Sequence, residues 1–188
     1  MNLEFKNKNS EIIIVLLIST ILALFGLYYF QFIIFLYPLL FIILGVRHGL
    51  KYTLISLLIS SVLVSLIADV VLGVLMFIAF MPLTIIIINM IVKRKNPIET
   101  LIYSTITFLA SVLLIIFLVN INGVSIIGQL KMNITQAINN QLKVLEQLNL
   151  TKEQMTEIRN LHRDYLEIVL AMIPSIIMIF SLVVSYIN

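Results

Sequence analysis

The sequence predicts an all-α protein: a polytopic membrane helix bundle of about six transmembrane helices with an outer amphipathic helical hairpin. Of its 188 residues, 61% are hydrophobic and 11% are charged, whereas soluble domains are about half apolar and a quarter charged. A soluble core could not absorb this excess of apolar side chains without leaving large apolar patches in water. Apolar segments of membrane-spanning length, with basic residues beside them, also indicate that the lipid bilayer surrounds most of the chain.

Apolar segments divide the chain into six predicted crossings, because a helix needs about 20 apolar residues to cross the hydrocarbon. The first is expected to be a retained helix rather than a signal peptide, since no small-residue cleavage site follows it. The second is short and forms a tight hairpin with the first, with Gln31 between them. The segment 52–92 is long enough for the third and fourth crossings. The other predicted spans cover residues 12–29, 32–46, 98–119 and 165–187.

The basic residues predict the orientation of the bundle, because Lys and Arg in short connections stay preferentially in the cytoplasm. Lysines precede the first span, Arg47 and Lys51 lie between the second and third, and Lys93, Arg94 and Lys95 lie between the fourth and fifth. The turns after the first and third spans contain no Lys or Arg. We therefore expect a multi-pass protein of the cell (plasma) membrane with a cytoplasmic N-terminus, and these five residues are its predicted topology determinants.

Asp69 is the only charged residue between Lys51 and Lys93, and it falls at the predicted outer turn between the third and fourth spans. Its carboxylate could cap the fourth span by accepting hydrogen bonds from free N–H groups. Alternatively it could face an outward cavity and bind a cation or a cationic substrate group, since acids in spans are functional candidates. Its interfacial depth favours the cap. The candidate ligand-binding residues are Asp69, Gln31 and Asn120.

The region after the fifth span is polar and amphipathic. Leucine and isoleucine recur in it at three- and four-residue spacing from residue 130 to 148, which predicts one apolar stripe on a helix. Thr151 and Gln154 match a capping box, so a second helix is expected to begin near Thr151. His162 is expected to be a surface residue rather than a metal ligand. The predicted domains are a five-span bundle (1–119), an extracytoplasmic amphipathic helical region (120–164) and a last transmembrane helix (165–188).

Catalytic and metal-binding motifs are absent from the sequence, which contains no HExxH, no nucleophile elbow and no Gly-rich phosphate loop. An intramembrane hydrolase needs a nucleophile and base, or a metal, at membrane depth. We therefore expect neither an enzyme nor a metal or cofactor. Nucleic acid is not an expected partner, because the basic residues lie in short clusters beside apolar segments. Ser19 and Ala23 form a small-xxx-small pair and are candidate helix-packing residues.

Two segments resemble a known family. One is LGVRHGLKYTLISLLISSVLVSLIADVVLGVLMFIAFMPLTIIIINMIVKRKN, and the other is EIVLAMIPSIIMIFSLVVSYIN. Together they resemble the YybS-like family of uncharacterised bacterial membrane proteins. Members of that family usually continue past the position of Asn188 with further spans, so this chain is expected to be a truncated or unusually short member. That family is similar to the substrate-capture subunits of energy-coupling-factor transporters, six-helix bundles that bind a small ligand. The resemblance implies that Arg47 and Gly49 match positions of these subunits. It also implies that Ser19 and Ala23 match positions that face a transport partner.

Two functions follow as hypotheses. The first is a small-solute binding or transport component, with an enclosed outer pocket that contains Asp69, Gln31 or Asn120. The alternative is a non-transporting membrane scaffold or regulatory protein that acts through its outer hairpin, residues 126–161. The expected partners are the lipid bilayer and either a membrane protein or a small-molecule ligand.

Overall fold

The computed structural model describes residues 8–121, 123, 125–146 and 152–188, and this described part is helical, without a strand. Six of its helices are long and apolar enough to cross a membrane, which confirms the predicted all-α bundle. The helices are α1 (Lys8–Tyr28), a 3₁₀ helix (Gln31–Leu36), α2 (Tyr37–His48), α3 (Leu50–Ile67), α4 (Val70–Val92), α5 (Pro97–Ile121), α6 (Ile126–Glu146) and α7 (Lys152–Ile187).

The second span is short in sequence because its first third is a 3₁₀ helix. Such a helix rises about 2.0 Å per residue, against about 1.5 Å for an α-helix. The six residues of the 3₁₀ helix and the 12 residues of α2 therefore extend about 30 Å, the thickness of the hydrocarbon core. Pro38 lies in the first turn of α2, where its missing N–H leaves no hydrogen bond unmade.

One continuous helix contains both the end of the amphipathic region and the last candidate span. The sequence predicted a helix that begins near Thr151, and α7 does begin at Lys152. The predicted separation of this helix from the span at residue 165 is wrong, because α7 is continuous to Ile187. Its apolar part, Asp164–Ile187, is the sixth candidate span. Thr151 itself and the side chain of Gln154 lie outside the described residues, so the predicted capping box stays a prediction.

The chain forms two compact units. The first contains the described residues up to Ile115 together with Ile179–Asn188, and the second contains those of Ile116–Met178. The last ten residues thus belong to the same unit as α1–α4. The domain boundaries predicted at 119/120 and 164/165 stay predictions.

Glycines in the first unit allow its helices to approach closely. A Cβ atom on Gly73 of α4 would lie 2.0 Å from Ser65 Oγ and 2.5 Å from the backbone oxygen of Ser61, both on α3. A Cβ on Gly45 of α2 would lie 2.2 Å from Ile88 Cδ1 on α4. Small residues permit such backbone contact in membranes, where dispersion rather than water exclusion holds helices together.

Hydroxyl groups connect α1, α2 and α3 inside the first unit. Ser60 Oγ lies 3.2 Å from Ser19 Oγ and 3.1 Å from Thr20 Oγ1. Tyr37 Oη lies 3.4 Å from Ser61 Oγ. All five side chains are buried. Hydrogen bonds of this kind between membrane helices contribute about 0.6 kcal/mol each on average, so the set adds specificity to the packing more than stability.

Aromatic rings form a continuous row through the first unit, here called the aromatic ladder. Successive ring centroids lie 4.8–6.2 Å apart, within the range of favourable aromatic pairs. The ladder joins the 3₁₀ helix, α7, α5, α4 and α2. Its members in order are Phe35, Phe180, Phe108, Phe80, Tyr37 and Phe41.

Candidate functional site

Asp69 is the N-cap of α4. Its Oδ1 accepts hydrogen bonds from the backbone N–H groups of Val71 at 2.7 Å and Leu72 at 3.3 Å. The segment 52–92 divides here into α3 and α4, because these bonds satisfy N–H groups that an α-helix cannot pair internally. The carboxylate of Asp69 therefore makes the contacts of a helix cap. A role for Asp69 in ligand binding stays a prediction.

Replacing Asp69 by alanine should lower the free energy of unfolding by about 1 kcal/mol, the usual cost of losing an N-cap side chain. Asp69→Asn keeps an acceptor oxygen and should retain most of that stability. Thermal unfolding in detergent compares the two variants. If Asp69 binds a cationic ligand through its charge, asparagine would abolish binding while leaving the fold stable; equal loss of stability in both variants would contradict the cap.

Gln31 and Asn120 are both exposed. Gln31 opens the 3₁₀ helix and lines a shallow cavity of about 260 Å³, whose described lining residues are 27–32 and include neither Asp69 nor Asn120. Asn120 lies in the last turn of α5 and belongs to the second unit. The predicted outer pocket made by these residues stays a prediction.

Ser19 and Ala23 are fully buried on the face of α1 that packs within the first unit. Ser19 Oγ contacts Ser60 on α3 and donates to the backbone oxygen of Leu16 at 3.1 Å. The pair therefore allows α1 to approach other helices of its own chain.

The predicted topology determinants lie on helix ends that adjoin in the first unit. Arg47 Nη1 donates to Glu11 Oε1 at the start of α1, and Lys8 lies 3.0 Å from the centroid of the Tyr52 ring, next to Lys51. Gly49, with φ of 92°, allows α2 to turn directly into α3. Lys93, Arg94 and Lys95 follow the end of α4, whose Ile88 contacts Gly45 near the end of α2.

Glu11 makes contacts that were not predicted from the sequence. It is buried, and its carboxylate meets Arg47 Nη1 at 2.5 Å and His48 Nε2 at 2.8 Å. Burying a carboxylate is costly unless a cation and hydrogen bonds satisfy it. The sequence contained a signal for these contacts. Glu11 lies at the start of one span, and Arg47 and His48 lie at the end of the next. The start of one helix and the end of the next lie side by side in an antiparallel hairpin.

A groove lies beside the α4–α5 connection and the end of α7, here called the α4–α5–α7 groove. Its volume is about 460 Å³, and its walls are mostly apolar. Asn96, between the lining residues Lys95 and Pro97, caps α5: its Oδ1 accepts a hydrogen bond from the N–H of Ile98 at 3.1 Å. The described lining residues are Ile87, Ile91, Lys95, Pro97, Ile98, Thr100, Leu101, Ser104, Ser185, Tyr186 and Asn188.

Two buried polar atoms in the α4–α5–α7 groove lack a hydrogen-bond partner within the described part of the chain: Ser185 Oγ and Asn188 Oδ1. Ser185 is 6% exposed. By contrast, Ser104 donates to the backbone oxygen of Leu101 at 3.1 Å. Buried polar groups in native proteins are nearly always paired, so the unpaired oxygens indicate where a bound molecule could supply the missing partner.

The predicted apolar stripe of the outer region lies on α6 and lines a second cavity. That cavity, of about 610 Å³, lies within the second unit between α6 and α7. Leu161 and Tyr165 of α7 are 63% and 61% exposed. Its described lining residues are Ile134, Ala137, Ile138, Gln141, Leu161 and Tyr165. Leu148 and the side chains of Leu145 and His162 lie outside the described residues.

Comparison with known proteins gives one family. Residues 12–188 match the family model described as a predicted membrane protein, DUF2232. No curated protein matches, and no solved structure does. Since the match covers nearly the whole chain, the protein belongs to the DUF2232 family of predicted membrane proteins.

Proposed function

We propose that this protein is a small-solute binding component of the cell membrane and that the α4–α5–α7 groove is its binding site. The observation that carries the proposal is the Ser185 hydroxyl, buried in the groove wall and unpaired within the described part of the chain. The volume of about 460 Å³ falls in the range of about 300–1,000 Å³ typical of ligand pockets.

The chemistry of the groove supports an amphipathic ligand. Side chains such as Ile87, Ile91 and Ile98 provide an apolar wall, and Ser185 and Asn188 provide the few polar atoms. Ligand sites commonly combine mostly apolar walls with a small number of polar groups that fix orientation. An apolar part of the ligand would lie against the isoleucines, and one polar group would pair with Ser185.

Filling the groove tests the proposal. Leu101→Trp places a bulky ring among the lining residues, whereas Leu113→Trp makes the same exchange at an exposed position of the same helix. After gentle purification, native mass spectrometry should find a small molecule retained by the wild type and by Leu113→Trp, and lost in Leu101→Trp. Equal retention in both variants, or no retained molecule in any of the three proteins, would overturn it.

The proposal has two further parts. The first is that the protein takes part in transport, and the second is that it is related to the YybS-like family and, through it, to substrate-capture subunits. A capture subunit holds a small ligand within a six-helix bundle, and six candidate spans support that comparison. The cytoplasmic position of the N-terminus is also proposed, and its support is the basic residues on adjoining helix ends, with none in the turns after the first and third spans.

A second candidate is the membrane scaffold or regulator, which the outer cavity of the second unit favours. Leu161 and Tyr165 present apolar surface beside a cavity lined largely by aliphatic α6 side chains. Exposed apolar patches in water commonly mark interaction sites. A photo-crosslinking residue at position 161 should capture a membrane-protein partner in cells if this role is correct, and the absence of any cross-linked product would count against it.

A further inference from the structure

We propose that the α4–α5–α7 groove binds an anionic phospholipid, with an acyl chain against its apolar wall and the phosphate at Lys95. This inference rests on the binding site of the proposed function and identifies its amphipathic ligand as a membrane lipid rather than a soluble molecule. The bilayer supplies such a molecule directly, at high local concentration, to a groove lined by the ends of three candidate membrane-spanning helices.

The charge of this end of the groove complements an anionic headgroup. Lys95 lines the groove, and Lys93 and Arg94 precede it as exposed basic residues. Lys95 Nζ lies 3.5 Å from Glu99 Oε2, but both side chains are about half exposed. An exposed ion pair of this kind contributes little to stability, so Lys95 can pair with another anion at little cost. The N-terminus of α5, which begins at Pro97, adds a partial positive charge.

The rest of the groove suits the part of a phospholipid below its phosphate. The ester carbonyl oxygens of the glycerol accept hydrogen bonds, and Ser185 offers a buried hydroxyl that lacks a partner among the described residues. Beyond it, Ile87, Ile91 and Leu101 offer apolar contact to a hydrocarbon chain. A small soluble anion would leave this wall unused. A lipid without net charge would complement the basic residues 93–95 less well than an anionic one, since Glu99 is the acid paired with Lys95.

Lipid competition in nanodiscs tests the proposal on the full chain. The protein is reconstituted into equal amounts of phosphatidylglycerol and phosphatidylcholine, released gently, and the lipids it retains are counted by native mass spectrometry. A basic side chain near an anionic lipid contributes about 1 kcal/mol, which corresponds to about a fivefold preference. We expect phosphatidylglycerol to exceed phosphatidylcholine by at least that factor in the wild type.

Three charge variants test which basic residues cause the preference for phosphatidylglycerol. Lys95→Gln should lower it about fivefold. Arg94→Gly should also lower it, and it should not lower the unfolding temperature, because Arg94 has a φ of 51°, where glycine is favoured. Lys51→Gln removes an exposed basic residue that is not among the described lining residues, and the preference should stay unchanged.

Each outcome separates the lipid inference from the proposed function. Equal retention of the two lipids by the wild type would overturn the anionic lipid, and so would an equal fall in Lys51→Gln and Lys95→Gln. If Leu101→Trp nevertheless released another small molecule, the groove would still be a binding site. If phosphatidylglycerol stayed bound to Leu101→Trp at the wild-type level, the lipid would lie outside the groove and the inference would fail.

Discussion

Phe108→Ala is expected to lower the free energy of unfolding by about 3 kcal/mol, the low end of the usual range for removing a buried phenylalanine. Phe108 is buried, and its ring lies between Phe80 at 6.0 Å and Phe180 at 6.2 Å in the aromatic ladder. Removing the ring leaves a cavity and breaks two aromatic contacts. The low end applies because lipid solvates an exposed phenyl ring well, so lost dispersion contacts account for most of the effect.

Equilibrium unfolding in mixed micelles with increasing dodecyl sulfate measures this change. Phe117→Ala is the matched control, since Phe117 lies on the same helix and is 61% exposed. Its free energy of unfolding should stay close to that of the wild type. If the two variants lost the same stability, the aromatic ladder would not be a packing core of the protein.

Glu11→Gln is expected to lower the free energy of unfolding by about 2 kcal/mol, within the range for hydrogen bonds to charged groups. Glutamine has nearly the same shape, but it leaves Arg47 and His48 without a carboxylate partner and points an N–H group toward one of them. The Arg47 side chain is 56% exposed, so water can solvate its charge after the change. That exposure keeps the expected loss below the 3–5 kcal/mol of a fully buried pair.

Glu99→Gln is the matched control for this second variant, because it makes the same exchange in the exposed Lys95–Glu99 pair. A loss of less than 1 kcal/mol is expected there. Unfolding of both variants is followed in the same micelles by helical circular dichroism. A loss at Glu11 no larger than at Glu99 would show that the buried carboxylate does not hold α1 against α2.

The number of spans was predictable from the sequence because hydrocarbon thickness sets the length of a crossing helix, whatever its neighbours are. The N-cap role of Asp69 was predictable for a similar reason: a lone acid between two apolar segments can satisfy the free N–H groups of the helix that follows it. Both inferences depend on neighbouring residues in the chain. They needed no knowledge of which helix face meets another helix.

The inner contacts were not predictable, because they depend on how the helices are rotated and paired. Thr84 donates to the backbone oxygen of Phe80 in its own helix, whereas Ser60 contacts Ser19 and Thr20 across the helix interface. The α4–α5–α7 groove depends on the end of α7 lying beside residues about 90 positions earlier in the chain. A single sequence gives no measure of such a distant contact.

The aromatic ladder has a consequence for how the protein is made. On the ribosome, Phe35, Phe41 and Phe80 enter the bilayer long before Phe180, which is near the end of the last span. Domains commonly fold from the N-terminus during synthesis, so α1–α4 can assemble while the nascent chain is still growing. The Phe108 ring therefore has one face in lipid until the last helix inserts and Phe180 packs against it.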